Sequence, residues 1–334
     1  MQRFLYKNLV KCVIIAFMRN YILFDLEWNQ APRGRELKSM PFEIIEIGAV
    51  RLDENKNEID SFDRLVCPKV YKTMHSINTK ITNITMDELA GQDDFNTVYE
   101  SFIKWCNKSE DYIFCTWGDM DLTELQRNVR HFNAAPLSDS PIKFLDIQKL
   151  YAIYKGNPKV KSGLENAVSE LGITEDPPFH RASNDVYYTS EIFRKISSEE
   201  LEKKVSYNLF HTPASKEDEI HAYFDSYSKH VTRSFSDKSM LMHEKDLFKN
   251  ECYICRNKTK PRIDWFNAGG SKTYLSLSEC PEHGLMRSVI RIKKAEDAKI
   301  YAIKITHSAS REDVEQMQEK NKARIQKSNL SNSE

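Results

Sequence analysis

Two carboxylates, Asp25 and Glu27, stand two residues apart within the apolar run 21–28. The run alternates as a β-strand does, so both side chains point to one face of a predicted sheet. Burying two unpaired carboxylates in such a strand is costly, and a divalent cation is the obvious remedy. An edge strand with both acids in water is the alternative, because the pattern Asp-x-Glu is frequent and decides nothing alone.

A histidine and an aspartate stand five residues apart further along the chain. His180 follows Pro177 and Pro178, which exclude a helix there, whereas Asp185 falls in the first turn of a helix predicted from about Ser183. A loop histidine and a helical carboxylate at this spacing can converge on one point. Alternatively, Asp185 only complements the helix dipole, and for this motif alone that alternative is favoured.

A further pair of acids, Asp119 and Asp121, follows a short apolar strand predicted at 112–116. The pair lies where the strand gives way to a helix, so one acid can cap the helix and the other can bind a metal. Each of the three motifs is modest by itself. Their order and spacing along one chain are more informative.

Together, the motifs resemble those of the DEDDh branch of the DnaQ-like 3′→5′ exonucleases, over about residues 18–197. Asp121 is preferred to Asp119 because the family motif has an apolar residue four positions after its aspartate, here Leu125. The motif residues that the resemblance assigns to one site are Asp25, Glu27, Asp121, His180 and Asp185.

The resemblance implies a ribonuclease H-like fold and hydrolysis of phosphodiester bonds by a two-metal mechanism. Four carboxylates would bind two Mg²⁺ or Mn²⁺ ions, which prefer oxygen ligands: Asp25, Glu27, Asp121 and Asp185. One ion, about 3.5–4 Å from the other, would activate the attacking water, and the second would stabilise the leaving 3′-oxygen. Asp25 would bridge the ions, and His180 would be the general base, because imidazole titrates near neutral pH.

The implied substrate is a nucleic-acid 3′ end in single-stranded RNA or DNA, with RNA favoured, and the products are nucleoside 5′-monophosphates. Two apolar residues beside the acids are candidate substrate contacts. Trp28 can stack on a terminal base, although a tryptophan at a strand end more often packs in the core. Leu26 stands between the two acids, and core packing is its favoured interpretation.

Three segments, at 23–30, 44–50 and 115–122, are most similar to the KapD-like bacterial subgroup. That subgroup is itself similar to exonucleases that trim structured RNA 3′ ends. Its resemblance to a sporulation inhibitor leaves a second hypothesis open, in which the fold serves mainly to bind a regulatory partner. The complete set of metal-binding residues argues against a purely degenerate scaffold.

A second constellation lies near the C-terminus, where Cys252-x-x-Cys255 and Cys280-x-x-His283 are separated by 24 intervening residues. Three thiolates and one imidazole in two such pairs predict a tetrahedral Zn²⁺ site. A complete ligand set leaves no open position for catalysis, so the site is expected to be structural. Cysteines grouped for a metal rather than for disulfides also indicate a reducing compartment.

The elements that must position these residues follow a recognisable order. Three strands at 21–28, 44–52 and 59–66 predict an antiparallel meander, and later strands alternate with amphipathic helices. This pattern predicts an α/β fold with a mixed sheet and flanking helices. Strand-like runs around the cysteine pairs add a small C-terminal zinc-ribbon-like β module.

The predicted domain organisation has five parts. Residues 1–17 are an extension before a preferred start at Met18, 18–197 form the exonuclease domain, and 198–249 are a partly packed linker. Residues 250–310 form the zinc module and 311–334 a charged tail. The zinc module carries an excess of lysine and arginine, which either bind phosphates or are ordinary solvated charges, and nucleic-acid binding is preferred. A protein partner of the zinc module is a separate expectation.

Composition sets the remaining bounds. The 334 residues have 40% hydrophobic and 29% charged side chains, which is enough for a core and argues against disorder throughout. The formal net charge of +0 excludes a globally basic chain but not a local basic groove. The first apolar run, at 12–18, is too short to span a bilayer, so we expect a cytoplasmic protein without membrane contact.

Overall fold

A computed structural model describes residues 19–31, 34–158, 160–201, 204–268, 270 and 272–331. The predicted extension at 1–17 and the predicted start at Met18 lie outside the described residues. No helix among the described residues is long and apolar enough to cross a membrane.

The first sheet has six strands in the order β3-β2-β1-β4-β5-β6. The first three form the expected antiparallel meander, β4 and β5 run parallel to β1, and β6 is an antiparallel edge strand. The mixed sheet confirms the predicted fold class. The strands are β1 (Asn20–Gln30), β2 (Phe42–Leu52), β3 (Glu58–Leu65), β4 (Tyr112–Thr116), β5 (Ile142–Asp146) and β6 (Ser206–Asn208).

Helices cover both faces of this sheet. Helices α3 and α4 pack on one face around Phe24 and Phe102, and α5 to α7 pack on the other around Leu23 and Ile192. The helices are α1 (Ser76–Thr82), α2 (Met86–Leu89), α3 (Phe95–Cys106), α4 (Met120–His131), α5 (Ile147–Tyr154), α6 (Leu164–Glu170), α7 (Ala182–Lys195) and α8 (Ser198–Leu201).

A second sheet, also of six strands, has the order β7-β8-β12-β11-β10-β9. Its strands are β7 (Ile220–Tyr223), β8 (Tyr227–Val231), β9 (Lys260–Asn267), β10 (Thr273–Cys280), β11 (Gly284–Lys294) and β12 (Ile300–Ser308). Two helices accompany this sheet, the short α9 (Lys238–Met242) and the long α10 (Arg311–Ser331).

The segment predicted as a linker, 198–249, contains strands of both sheets. Strand β6 closes the edge of the first sheet, while β7 and β8 belong to the second. The side chain of Asn208 in β6 also donates hydrogen bonds to the Asp119 carbonyl at 3.3 Å and to Thr123 at 2.8 Å. These short strands were missed because three to five residues with few apolar side chains give no readable alternation.

The two sheets meet at helix α4. Glu296, in the turn between β11 and β12, accepts hydrogen bonds from Arg127 and from Arg130, each at 2.9 Å. The guanidinium of Arg130 also lies over the ring of Phe210, 4.7 Å from its centroid. The second sheet is therefore fixed against the helix that carries Asp121.

Strand β2 and the start of helix α7 approach each other unusually closely. Gly48 in β2 faces the backbone of Ala182 and Ser183, and a methyl group added at Gly48 would overlap both. Close backbone packing of this kind requires glycine. The contact fixes the start of α7, and with it Asp185, against the strand that pairs with β1.

We expect Gly48→Ala to lower the free energy of unfolding by about 1–3 kcal/mol, because the new methyl group must push α7 away from β2. Urea denaturation followed by circular dichroism measures the change. The matched control is Gly163→Ala, where the nearest atom to the new methyl would be an Asn166 side-chain nitrogen at 3.9 Å. Equal stability of the two variants would contradict the close-packing argument.

Candidate active site

Asp25 and Glu27 lie in β1 on the face that α7 covers. Asp25 pairs in register with Gly48 and Glu27 with Glu46, and β1 has an irregularity directly after Glu27. Strand alternation therefore points both carboxylates to one side, as the sequence predicted. Gly48, the register partner of Asp25, lets the backbone of α7 approach this face of the sheet, and Asp25 itself is half-buried.

Asp121 joins this pair from the first turn of α4. Its side chain is buried, and its carboxylate accepts hydrogen bonds from its own N–H and from the N–H of Leu26 in β1. Asp119, one position before the helix, is exposed and makes no side-chain capping bond. Asp121, the acid preferred from the sequence, is thus the buried one of the pair, and Asp119 is exposed.

Asp185 and His180 come from the start of α7 and the loop before it. The Asp185 carboxylate accepts a hydrogen bond from the backbone N–H of His180 at 3.2 Å. His180 has a left-handed backbone, with φ of 66°, which is rare for residues other than glycine and is often found at functional sites. Its imidazole Nε2 lies 3.0 Å from a carboxylate oxygen of Glu165, and 42% of the side chain is exposed.

Three of the five predicted site residues form a cluster with metal-ligand spacing. Single ligand atoms of Glu27, His180 and Asp185 all lie within 4.8 Å of one another. Asp25 and Asp121 adjoin the cluster, since the charges of Asp121, Asp185 and Glu27 all act on Asp25. The structure therefore brings the five predicted residues to one place, and their catalytic roles stay predictions.

The crowding of acids has a clear electrostatic signature. Burial, together with the charges of the other acids, raises the pKa of Asp25 well above its usual range. Burial first, and then Asp185, raises the pKa of Glu27 to about 8. Burial likewise raises the pKa of Asp121 to about 7 and that of Asp185 to about 6. Such a group of acids favours either protons or cations.

Glu46 and Arg181 lie beside the acids but were not among the predicted site residues. Glu46, in β2, is fully buried and accepts hydrogen bonds from the Arg181 guanidinium at 2.7 Å and from the Ala182 N–H at 2.9 Å. Glu46 thereby accepts a hydrogen bond from a backbone N–H at the N-terminal end of α7, and it helps to position Asp185. The available signal was a single acid inside the apolar run 44–47, two residues from Gly48 and therefore on the same face.

The two candidate substrate contacts have different surroundings. The Leu26 side chain is buried in the core beside Phe24, so its side chain packs instead of facing a substrate. Trp28 is partly buried and packs against Phe42, with ring centroids 5.3 Å apart. The structure thus gives Leu26 a packing role, and contact between Trp28 and a base stays a prediction.

The four predicted zinc ligands form a compact cluster in the second sheet. The Nδ1 atom of His283 lies 3.6 Å from the Cys252 sulfur and 3.5 Å from the Cys280 sulfur. The sulfurs of Cys255 and Cys280 are 3.7 Å apart. Tetrahedral Zn²⁺ with ordinary bond lengths separates S and N ligands by about 3.6 Å and two S ligands by about 3.8 Å.

The thiols in this cluster are electronically unequal. Burial raises the pKa of the Cys252 thiol. Burial would also raise the pKa of Cys280, but hydrogen bonding with His283 and to backbone N–H groups lowers it to about 7. A thiol that ionises near neutral pH is a ready metal ligand.

A comparison of the sequence with family models gives one match. The family described as RNase_T: Exonuclease matches residues 23–193, slightly more than half of the chain. The matched range contains β1 to β5 and α1 to α6 with most of α7, and hence all five clustered residues.

Curated relatives agree with this match. The chain is 24% identical over 173 residues to 3′-5′ exoribonuclease 1 of Rattus norvegicus, covering 50% of each protein. The same protein of Homo sapiens is 24% identical over 173 residues, covering 49% of each. The chain thus spans about half the length of the curated relatives it matches.

Among solved structures, the nuclease domain of 3′hExo, a DEDDh family member bound to rAMP, has the same fold. Its TM-score is 0.50 at 19% identity, and the alignment covers 58% of this chain and 99% of that domain. The clustered acids lie within the residues that the family model matches, and this part of the chain has the fold of the solved nuclease domain. The chain belongs to the exonuclease family, and residues 23–193 form its exonuclease domain.

Proposed function

We propose that the chain is a metal-dependent 3′→5′ exonuclease that releases nucleoside 5′-monophosphates. The observation that carries the proposal is the group of four crowded acids, one buried and three half-buried, with raised pKa values inside the matched domain. The four acids that would hold two Mg²⁺ or Mn²⁺ ions are Asp25, Glu27, Asp121 and Asp185.

The surroundings of the acids suit a pair of divalent cations. The guanidinium of Arg181 is bound to Glu46, and although its charge lowers the pKa of Glu27, burial and the neighbouring acids outweigh that effect. Oxygen donors from aspartate and glutamate are the ligands that Mg²⁺ and Mn²⁺ prefer. When bound, such ions activate water and stabilise the oxygen that leaves in phosphodiester hydrolysis.

The protein's own residues would orient the water and accept its proton. We assign the general base to His180, whose ring is accessible and whose backbone is fixed by Asp185. Glu165, 3.0 Å from the His180 ring, would orient the imidazole. Asp25, half-buried and within the electrostatic influence of Asp121, Asp185 and Glu27, would be a ligand of both cations.

RNA is the favoured substrate, and this preference rests on the exoribonuclease names of the curated relatives. The same relatives do not favour the regulatory alternative. For the second sheet, we propose one structural Zn²⁺ held by Cys252, Cys255, Cys280 and His283, on the ligand spacing described above. A protein partner of this zinc module is a further proposal.

The first test compares the two acids at the start of α4. We expect Asp121→Asn to reduce hydrolysis of a single-stranded RNA by at least about 100-fold, because it removes a cation ligand. Asp25→Asn and His180→Ala should have effects at least as large. The matched control is Asp119→Asn, whose exposed carboxylate lies outside the buried group. The measurement is release of nucleotides with Mn²⁺ present.

Polarity is tested on the same RNA with either end blocked. A blocked 3′ end should prevent hydrolysis and a blocked 5′ end should not. Equal decay of both substrates, or equal rates for Asp121→Asn and Asp119→Asn, would contradict the proposal.

The second test uses the pH dependence of stability. If folding raises the pKa of a carboxyl group, that group does not destabilise the protein below the pKa that it has in the unfolded chain, about 4. Its destabilising effect grows as the pH rises towards the pKa that it has in the folded protein. With a folded pKa of about 8, Glu27 should destabilise the metal-free protein at pH 8 but hardly at pH 5. Glu27→Gln should therefore raise the melting temperature at pH 8 without metal.

With Mn²⁺ added at pH 8, the wild type should have a higher melting temperature than Glu27→Gln, because the cation stabilises the wild type and binds the variant less well. Glu58→Gln, on the exposed end of β3, is the control and should change neither melting temperature. The same effect of Glu27→Gln at pH 5 and pH 8 would refute the electrostatic account.

The third test concerns zinc. We expect one Zn²⁺ per purified chain, and we expect Cys280→Ser to lose it and to unfold the second sheet at a lower temperature. Elemental analysis and thermal melting measure both effects. Cys67→Ser is the control, because Cys67 is a free cysteine of the first domain away from the cluster. Wild-type protein without zinc would contradict the assignment.

A further inference from the structure

Two lysines face each other where the sheets meet, beside the edge that carries the acids. Lys149 belongs to the first turn of α5, and Lys229 belongs to β8 of the second sheet. The ammonium of Lys149 lies 3.4 Å from the Tyr227 hydroxyl and 3.5 Å from the Ser206 hydroxyl. The ammonium of Lys229 lies 5.6 Å from the ring centroid of Tyr207.

We call Lys149, Lys229, Tyr207 and Tyr227 the seam cluster. Within the part of the chain that the structure describes, neither ammonium makes an ion pair with a carboxylate. Both lysines are partly buried, and burial together with the charge of Lys149 lowers the pKa of Lys229 to about 8. Two half-buried cations without a carboxylate partner are unfavourable unless an anion joins them.

The position of the seam cluster relative to the acids follows from strand register. Leu23 pairs with Cys115 and Cys115 with Leu145, so Asp146 is level with Phe24, one residue before Asp25. Asp25 and Asp146 therefore both lie at the carboxyl ends of the parallel strands, with β4 between them and their side chains on opposite faces. Neighbouring strands are about 4.8 Å apart, so these two positions are separated by about 10 Å. Lys149 follows within one helical turn, since its N–H bonds the Asp146 carboxylate at 2.9 Å.

We propose that Lys149 and Lys229 bind phosphates of the single strand whose 3′ end lies at the buried acids. The proposal rests on the exonuclease function proposed above and adds the path of the strand. Lysine ammonium groups bind phosphodiesters electrostatically, while tyrosine rings offer faces on which bases stack. The strand would leave the acids across the end of β5 and continue between the two sheets.

A purely structural role is the competing explanation for the same contacts. Lysine–tyrosine packing could serve only to hold the sheets together, and removal would then reduce stability alone. The salt dependence of nucleic-acid binding separates the two, because each phosphate contact by a cation adds about 0.7 to the slope of log affinity against log salt for a single strand.

The experiment measures binding of a labelled single-stranded RNA of about twelve nucleotides by fluorescence anisotropy, with the full chain, at several salt concentrations. We expect Lys149→Gln to reduce the slope by about 0.7 and the double variant Lys149→Gln/Lys229→Gln to reduce it by about 1.4. Lys149→Arg/Lys229→Arg should keep the wild-type slope. The matched control is Lys104→Gln, an exposed lysine of α3.

Hydrolysis then links the contacts to the active site. The double variant should raise the KM for the long RNA several-fold while leaving hydrolysis of a dinucleotide unchanged, because a dinucleotide does not reach the seam cluster. An unchanged slope, or an equal loss on the dinucleotide, would overturn the inference. Wild-type protein that binds RNA with the expected slope but hydrolyses neither substrate would instead contradict the proposed function, while the binding inference would stand.

Discussion

The structure of the first domain depends on one electrostatic constraint, which is the burial of several carboxylates in a small volume. Asp25, Glu27 and Asp121 repel one another, and they are half-buried or, for Asp121, buried, so their ionised forms are disfavoured without a counter-charge. The protein maintains this arrangement through rigid neighbours. Gly48 admits the close approach of α7, and Glu46 binds the Arg181 guanidinium and the first backbone N–H of that helix.

The parts of the site that the sequence revealed are those where residue type and spacing act locally. Alternation along β1 was enough to place Asp25 and Glu27 on one face, and the family resemblance, through the apolar Leu125 four positions later, favoured Asp121 over Asp119. Glu46 was not recognised as part of the site, because its partners Arg181 and Ala182 are 135 and 136 residues away in the sequence. No local pattern reports such a contact.

The same distinction applies to the fold. The long strands β1 and β2 were predicted with their ends nearly correct. The short edge strands in the presumed linker were not, since β6 has only three residues and is held by its neighbour β5 and by the side chain of Asn208. Such short strands form because a neighbouring strand of the sheet supplies their hydrogen bonds, and the local sequence does not encode that neighbour.

The location of β6 has a mechanical consequence. The chain completes the first sheet at Asn208 and starts the second at Ile220, so only residues 209–219 join the two. The Glu296 carboxylate, held by Arg127 and Arg130, provides a second attachment on α4. The covalent connection and this ion-pair attachment together restrict both twisting and hinging of one sheet against the other. The two sheets therefore keep a fixed relative position.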